Sequence, residues 1–146
     1  MEFTIAAMEE MHRERVLDMM RTFYASAAVL TNGSEEIFTA DIDACISDNP
    51  YLEGFVFCRG EELLGYGMAA KSFSTEFGKP CIWIEDLYVT SAHRGKGIGS
   101  AFLDFMTCRY PDAILRLEVE EENGKAIAVY RKSGFEVLPY MEMKKE

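Results

Sequence analysis

Histidine, cysteine and basic side chains are all scarce in this sequence, and each shortage removes a class of function. The 2 histidines, His12 and His93, stand far apart with no clustered ligands around them, so no metal site is expected. The 4 cysteines, Cys45, Cys58, Cys81 and Cys108, are scattered without a CxxC pair. With no secretory leader at the start, the simplest account is reduced thiols in a cytoplasmic protein. Lysine and arginine total 15 against 25 acidic residues, a net charge of −10, which argues against holding a nucleic acid through a basic face. That balance suits a cationic substrate drawn in by the field, although acidity more often serves only solubility. No apolar run approaches the roughly 20 residues of a membrane-spanning helix.

What remains is a globular composition, 49% hydrophobic and 27% charged, on 146 residues, enough for one domain over 1–146 with one core. Phe3 to Ala6 reads as a short strand. From Met8 to Tyr24 apolar residues recur at helical spacing, with His12 near the stripe as a half-buried packing residue. Ser34 suits the cap of a second helix reaching about Ser47, stopped by Asn49-Pro50. Gly54 to Cys58, the turn Arg59-Gly60-Glu61-Glu62 and Leu63 to Phe73 form a hairpin pattern. A strand from Cys81 to Val89, a helix from about Gly97 to Arg109, a strand from Ala113 to Val119 and a helix from Lys125 to Lys132 follow. Phe135 to Lys145 reads as a closing strand, or two short ones, interrupted at Pro139. A strand–helix–strand run implies a parallel right-handed crossover and a hairpin an antiparallel pair. The expected fold is therefore α/β, a mixed sheet with helices on its faces.

Arg94-Gly95-Lys96-Gly97-Ile98-Gly99 lies between a strand and a helix. Glycines there permit positive φ and close backbone approach, so successive N–H groups converge on an anion at a helix N-terminus. Arg94 and Lys96 add full charges, and a phosphate or pyrophosphate is the natural guest. The segment lacks the GxxxxGK[ST] order of a P-loop, and Gly95-x-Gly97-x-Gly99 has the wrong spacing, too late in the chain, for a dinucleotide fingerprint. Taken alone it reads equally as an anion site or as a charged turn.

Its neighbours supply the context. The stretch Ile84-Glu85-Asp86-Leu87-Tyr88-Val89 through Gly99 resembles the acetyl-CoA-binding core of the GNAT superfamily of N-acetyltransferases, whose Arg/Gln-x-x-Gly-x-Gly/Ala signature is matched by Arg94, Gly97 and Gly99. Downstream, Asn123 to Phe135 resembles the family's Asn-x-x-Ala-x-x-x-Tyr-x-x-x-Gly-Phe segment. The resemblance implies a mostly antiparallel sheet with a central parallel pair splayed around the cofactor. It implies acetyl-CoA as cosubstrate, with no metal, held by backbone groups of Leu87, Tyr88 and Val89, by Arg94, Gly95, Lys96, Gly97, Ile98, Gly99 and Ser100, and by Asn123 and Tyr130. A homodimer is a further implication.

The implied reaction is transfer of the acetyl group to a primary amine by direct attack. An amine attacks only when neutral, so a base must take its proton, and Glu85 is the candidate. A surface carboxylate is the competing reading of Glu85, and only a bulge would let it share a face with Asp86, which reads as structural or as orienting a partner. Tyr130, protonated at neutral pH, is the candidate acid for the departing thiolate, against a plain core tyrosine. The N–H of Tyr88 or Val89 is the candidate donor to the oxyanion. Similarity to the diamine and polyamine branch suggests a small cationic acceptor, with Glu35, Glu36, Asp41, Asp43 and Glu76 as cleft carboxylates or as solvated faces. Phe73, Phe77 and Trp83 read as walls of the site or as packing. The alternative in a different class is an acyl-CoA-binding sensor without turnover.

Overall fold

A computed structural model of the chain describes residues 2–146. Strand β1 (Thr4–Ala7) and a 3-10 turn at Glu10–His12 lead into helices α1 (Arg13–Tyr24) and α2 (Glu35–Ile46). Strands β2 (Leu52–Arg59), β3 (Glu62–Ser74) and β4 (Lys79–Val89) follow, then a 3-10 turn at Ser91–His93, α3 (Ile98–Arg109), β5 (Ile114–Leu117) and α4 (Gly124–Lys132). The strands form one sheet in chain order, antiparallel throughout except for the parallel pair β4–β5 that α3 connects. The expected mixed α/β sheet is what forms.

Two apolar layers sandwich it. On one face Val16 and Met20 of α1 with Phe38 and Ile42 of α2 pack against Val56, Tyr66, Met68 and Tyr88. On the other, Ile98, Phe102, Leu103 and Met106 of α3 pack against Phe55, Phe57, Leu64 and Ile84. Gly67 makes the second layer possible, because a Cβ there would lie 2.5 Å from the Phe102 ring. Phe102 is wholly buried as a result. Burying a side chain of that size contributes roughly 2–3 kcal/mol by transfer alone.

Three expectations are adjusted. The apolar stripe from Met8 to Tyr24 is not one helix: the buried His12 turns its Nδ1 back to accept the Glu9 N–H at 2.9 Å, closing a 3-10 turn before α1 begins. Strand β5 stops at Leu117 rather than at Val119. The closing strand over Phe135 to Lys145 does not form, since residues 135–146 carry neither helix nor strand. Pro139 has no N–H to give a ladder. The alternating apolar residues Val137, Met141 and Met143 find no layer to cover them and stay exposed. The segment is held instead by the Tyr140 hydroxyl donating to Glu76 at 2.5 Å. In consequence the parallel pair lies along one side of the five-stranded sheet.

Candidate active site

The chain leaves β4, makes the turn at Ser91–His93, and reaches Arg94–Gly97 with all four residues exposed. Gly95 and Gly97 take φ of +74° and +82°, a region that costs an L side chain about 1–2 kcal/mol. Gly97 is the N-cap of α3 and offers no side-chain cap, so the first N–H groups of that helix have no partner inside it. A Cβ at Gly95 or at Gly97 would meet nothing within 4 Å. The glycines are needed for backbone conformation, and the space they leave borders a helix N-terminus. That is the shape and polarity a pyrophosphate fits. Arg94 is bent back, its Nε donating to the Val89 carbonyl at 2.9 Å and its guanidinium 5.5 Å from the Tyr88 ring centre, which ties the loop to the end of β4.

Strand β4 has two edges with different fates. Its parallel pairing with β5 runs from Cys81↔Ile114 to Ile84↔Leu117 and ends there, while β4 continues to Val89. Along the β3 edge, Tyr88 faces Tyr66, Val89 faces Gly65, and the Thr90 N–H donates to Leu64 at 2.9 Å. Hydrogen-bonded and non-hydrogen-bonded pairs alternate in an antiparallel ladder. Thr90 and Tyr88 therefore spend their backbone groups on β3, and Leu87 and Val89 turn theirs toward the gap beyond Leu117. Of the two proposed oxyanion donors, this register leaves the Val89 N–H facing the gap and commits that of Tyr88.

A bulge sits at the head of the gap. Met68 pairs with Asp86 and Ala69 with Ile84, so Glu85 is the extra residue. Below it Ile82 and Ile84, and above it Leu87 and Val89, lie on the α3 side, whereas Asp86 and Tyr88 turn to the α1 side. Glu85 is an exposed residue that keeps charged company: Asp86 beside it, Asp41 from α2 and Glu142 from the C-terminal segment. Partial desolvation of the carboxyl, then those three carboxylates, raise its proton affinity above the ordinary glutamate value. Asp41 is pushed up to about 6, by burial first and by Asp86 second. Glu118, just past β5, rises to about 7, chiefly through its hydrogen bond with Glu142. Asp86 itself is buried, with its Oδ1 accepting from Tyr24 at 2.8 Å and its Oδ2 from Tyr66 at 2.7 Å.

Tyr130 lies on the other side of β4, half-buried against the α3 layer with its ring 6.1 Å from that of Phe135. Burial raises its proton affinity further, so the phenol is a proton donor throughout the neutral range. Asn123 caps α4, its Oδ1 accepting the Ala126 N–H at 3.3 Å, which leaves its amide NH2 as the group able to meet a ligand. The Arg94–Ser100 loop, the Leu87 and Val89 backbone and Glu85 thus follow one another along the β4 gap, with Tyr130 in the α3 layer.

Of the acidic residues expected to line a cleft, only Asp41 joins this cluster. Glu35 is paired with Arg21 at 2.6 Å, Asp43 with Arg13 at 2.6 Å, and Glu76 with Tyr140. Phe73 and Phe77 are exposed, and Trp83 carries the Arg116 guanidinium at 4.7 Å. Tyr24, Glu118 and Glu142 were not anticipated as site residues; the acidic run after β5 was the one hint of Glu118. A cavity of about 580 Å³, lined among others by Met8, Cys45, Lys71 and Arg109, lies elsewhere and shares none of these groups.

The profile of the acetyltransferase (GNAT) family matches residues 13–135. The thialysine N-epsilon-acetyltransferase of Bos taurus is 34% identical over 87 residues, covering 58% of this chain and 51% of that protein. That of Sus scrofa is 34% identical over 79 residues, covering 52% and 46%. The chain spans about half the length of these curated relatives. Among solved structures, a possible acetyltransferase from Clostridium difficile 630 superposes with a TM-score of 0.84 at 18% identity, covering 99% of this chain and 97% of that one. AAC(6')-Iy, solved with the bisubstrate analogue CoA-S-monomethyl-acetylneamine, gives 0.78 at 15% identity, covering 100% and 99%. At such identities these two share the fold.

Proposed function

The chain belongs to the acetyltransferase (GNAT) family, and from that premise we propose that it transfers the acetyl group of acetyl-CoA to a primary amine, with Glu85 as base and Tyr130 as acid. The observation that carries this reading is the unpaired edge of β4 between the bulge at Glu85 and the glycine loop. The N–H groups at the start of α3 and the Gly95–Gly97 backbone bind the pyrophosphate. Leu87 pairs with the pantetheine arm as a strand would, Val89, whose carbonyl Arg94 holds, keeps its N–H for the thioester, and the Asn123 amide donates to the arm. The thioester then lies in the gap, with its carbonyl oxygen near the Val89 N–H.

The two titrating groups approach from opposite faces of β4. Glu85, on the face that holds Asp41, takes the proton from the incoming ammonium, directly or through water, and the nitrogen attacks the thioester carbon. The new C–N bond forms, the C–S bond breaks, and Tyr130, on the α3 face, gives its proton to the departing sulfur. A base needs a proton affinity close to working pH, which the raised value of Glu85 supports.

The acceptor we propose is a small cationic amine. Asp41, Glu85, Glu118 and Glu142 gather negative charge at the amine side of the gap, and a cation there relieves their mutual repulsion. Thialysine, named for the curated relatives, is of this class. Replacing Glu85 with Gln tests the reading: the rate of thiol release should fall about 10²-fold or more at neutral pH, as for loss of a general base. An unchanged rate and pH profile would remove Glu85 from the mechanism.

A further inference from the structure

We propose that Asp86 is a positioning residue for Glu85: clamped between two phenols from different elements, it holds the β4 bulge in place and keeps a buried negative charge beside the Glu85 carboxyl. The inference rests on Glu85 acting as the base.

The geometry is specific. Tyr24 is the last residue of α1, and its hydroxyl donates to Asp86 Oδ1 at 2.8 Å. Tyr66, fully buried on β3, donates to Oδ2 at 2.7 Å. Asp86 immediately follows the bulged residue and is the one whose pairing with Met68 restores the register. The side chain therefore fastens the strand, just past its irregularity, to the neighbouring strand and to a helix on the sheet face. Phe23, Tyr24, Tyr66, Tyr88 and Phe38 pack their rings into one aromatic cluster around it.

A carboxylate is a costly choice for such a clamp. Burial raises the proton affinity of Asp86, and the two phenols, each donating to one oxygen, oppose that rise and favour the ionised form, whose charge little water screens. A neutral side chain of similar size would tie Tyr24 and Tyr66 together without that cost. What the charge adds is felt next door. The groups facing Glu85 are Asp86 from its own strand, Asp41 from α2, Tyr24 from α1, Glu142 from the C-terminal segment and Glu118 after β5. Among the carboxylates, Asp86 acts on Glu85 most strongly. It is also the one that salt screens least.

Asp86→Asn separates position from charge, since an amide can keep one phenol as donor and offer its NH2 to the other oxygen. The rise of kcat/KM with pH, measured on acetyl-CoA with a cationic amine, should move to lower pH by roughly half to one unit, because a like charge beside the base is gone. The reaction should also slow several-fold at neutral pH as the base weakens. Tyr24→Phe keeps the charge and loosens the clamp, so kcat should fall several-fold with the acid limb unmoved and the KM for acetyl-CoA unchanged. Glu85→Gln completes the set by abolishing the acid limb. A limb that persists in Glu85→Gln overturns the base assignment and this inference with it. A limb absent in Glu85→Gln but unmoved in folded Asp86→Asn leaves the base in place and overturns the inference alone. Should Asp86→Asn fail to fold, wild-type kcat in Tyr24→Phe overturns it.

Discussion

Substituting Gly97 separates what the loop does for the fold from what it does for the ligand. Gly97 holds φ at +82°, and an added Cβ meets nothing within 4 Å. The cost of Gly97→Ala to the free protein is therefore conformational, about 1–2 kcal/mol for left-handed backbone, reduced by roughly 0.4–1 kcal/mol through the stiffer unfolded chain. A net loss of about 1 kcal/mol lowers the melting temperature by about 2–4 °C in a domain of this size. Gly97→Asp should cost less, because Asp tolerates left-handed backbone better and its charge at the start of α3 recovers about 0.3–1 kcal/mol from the helix dipole. Ligand affinity should run the other way. The alanine methyl intrudes on the pyrophosphate and should weaken acetyl-CoA binding about tenfold. An aspartate about 4 Å from a phosphate charge adds up to about 4 kcal/mol of repulsion at surface-like screening, near a thousandfold. Thermal melts of the free variants and titration calorimetry with acetyl-CoA give the two orders. If Asp binds as well as Ala, or both bind as well as wild type, the loop does not hold the pyrophosphate.

Other consequences follow from the same geometry. Tyr130→Phe should lower turnover while the calorimetric affinity for acetyl-CoA changes little, and equal turnover would dismiss the acid. The folded chain binds a proton at Asp41 up to about pH 6, whereas an unfolded aspartate releases it near pH 4. Stability therefore falls as pH rises between those values, and Asp41→Asn should gain on the order of 1 kcal/mol above pH ~6 and nothing below pH ~4, after allowance for solvent screening. Melting curves at the two extremes that shift equally would contradict this. Phe102→Ala, which empties the space over Gly67, should cost about 3–5 kcal/mol by urea midpoint with the m-value kept; a loss under 1 kcal/mol would mean that the α3 layer is loosely packed.

Much of the architecture could be read from local signals, and the exceptions have physical causes. Ser34 marked the start of α2 and does cap it, its Oγ accepting from Ile37 at 3.2 Å. Gly97 announced its backbone by composition and sits at positive φ. The bulge also left a trace: Ile82 and Ile84 alternate, but the next residues on that face are Leu87 and Val89, a three-residue step that only an extra residue absorbs. What could not be read was long-range. Tyr24 and Asp86 are 62 residues apart in sequence, and Glu118, just past β5, meets Glu142 of the C-terminal segment through a hydrogen bond that no local pattern announces. That segment alternated like a strand, yet nothing in a single sequence tells whether a layer exists to bury Val137 and Met143.

Thiol release from acetyl-CoA against a panel of amines, with the acetylated product identified by mass, tests the central claim most directly. A small dicationic or thialysine-like amine should give stoichiometric free CoA and singly acetylated amine, with neutral amines slower. Tight acetyl-CoA binding with no thiol released by any amine would contradict the transferase account and leave an acyl-CoA-binding module in its place.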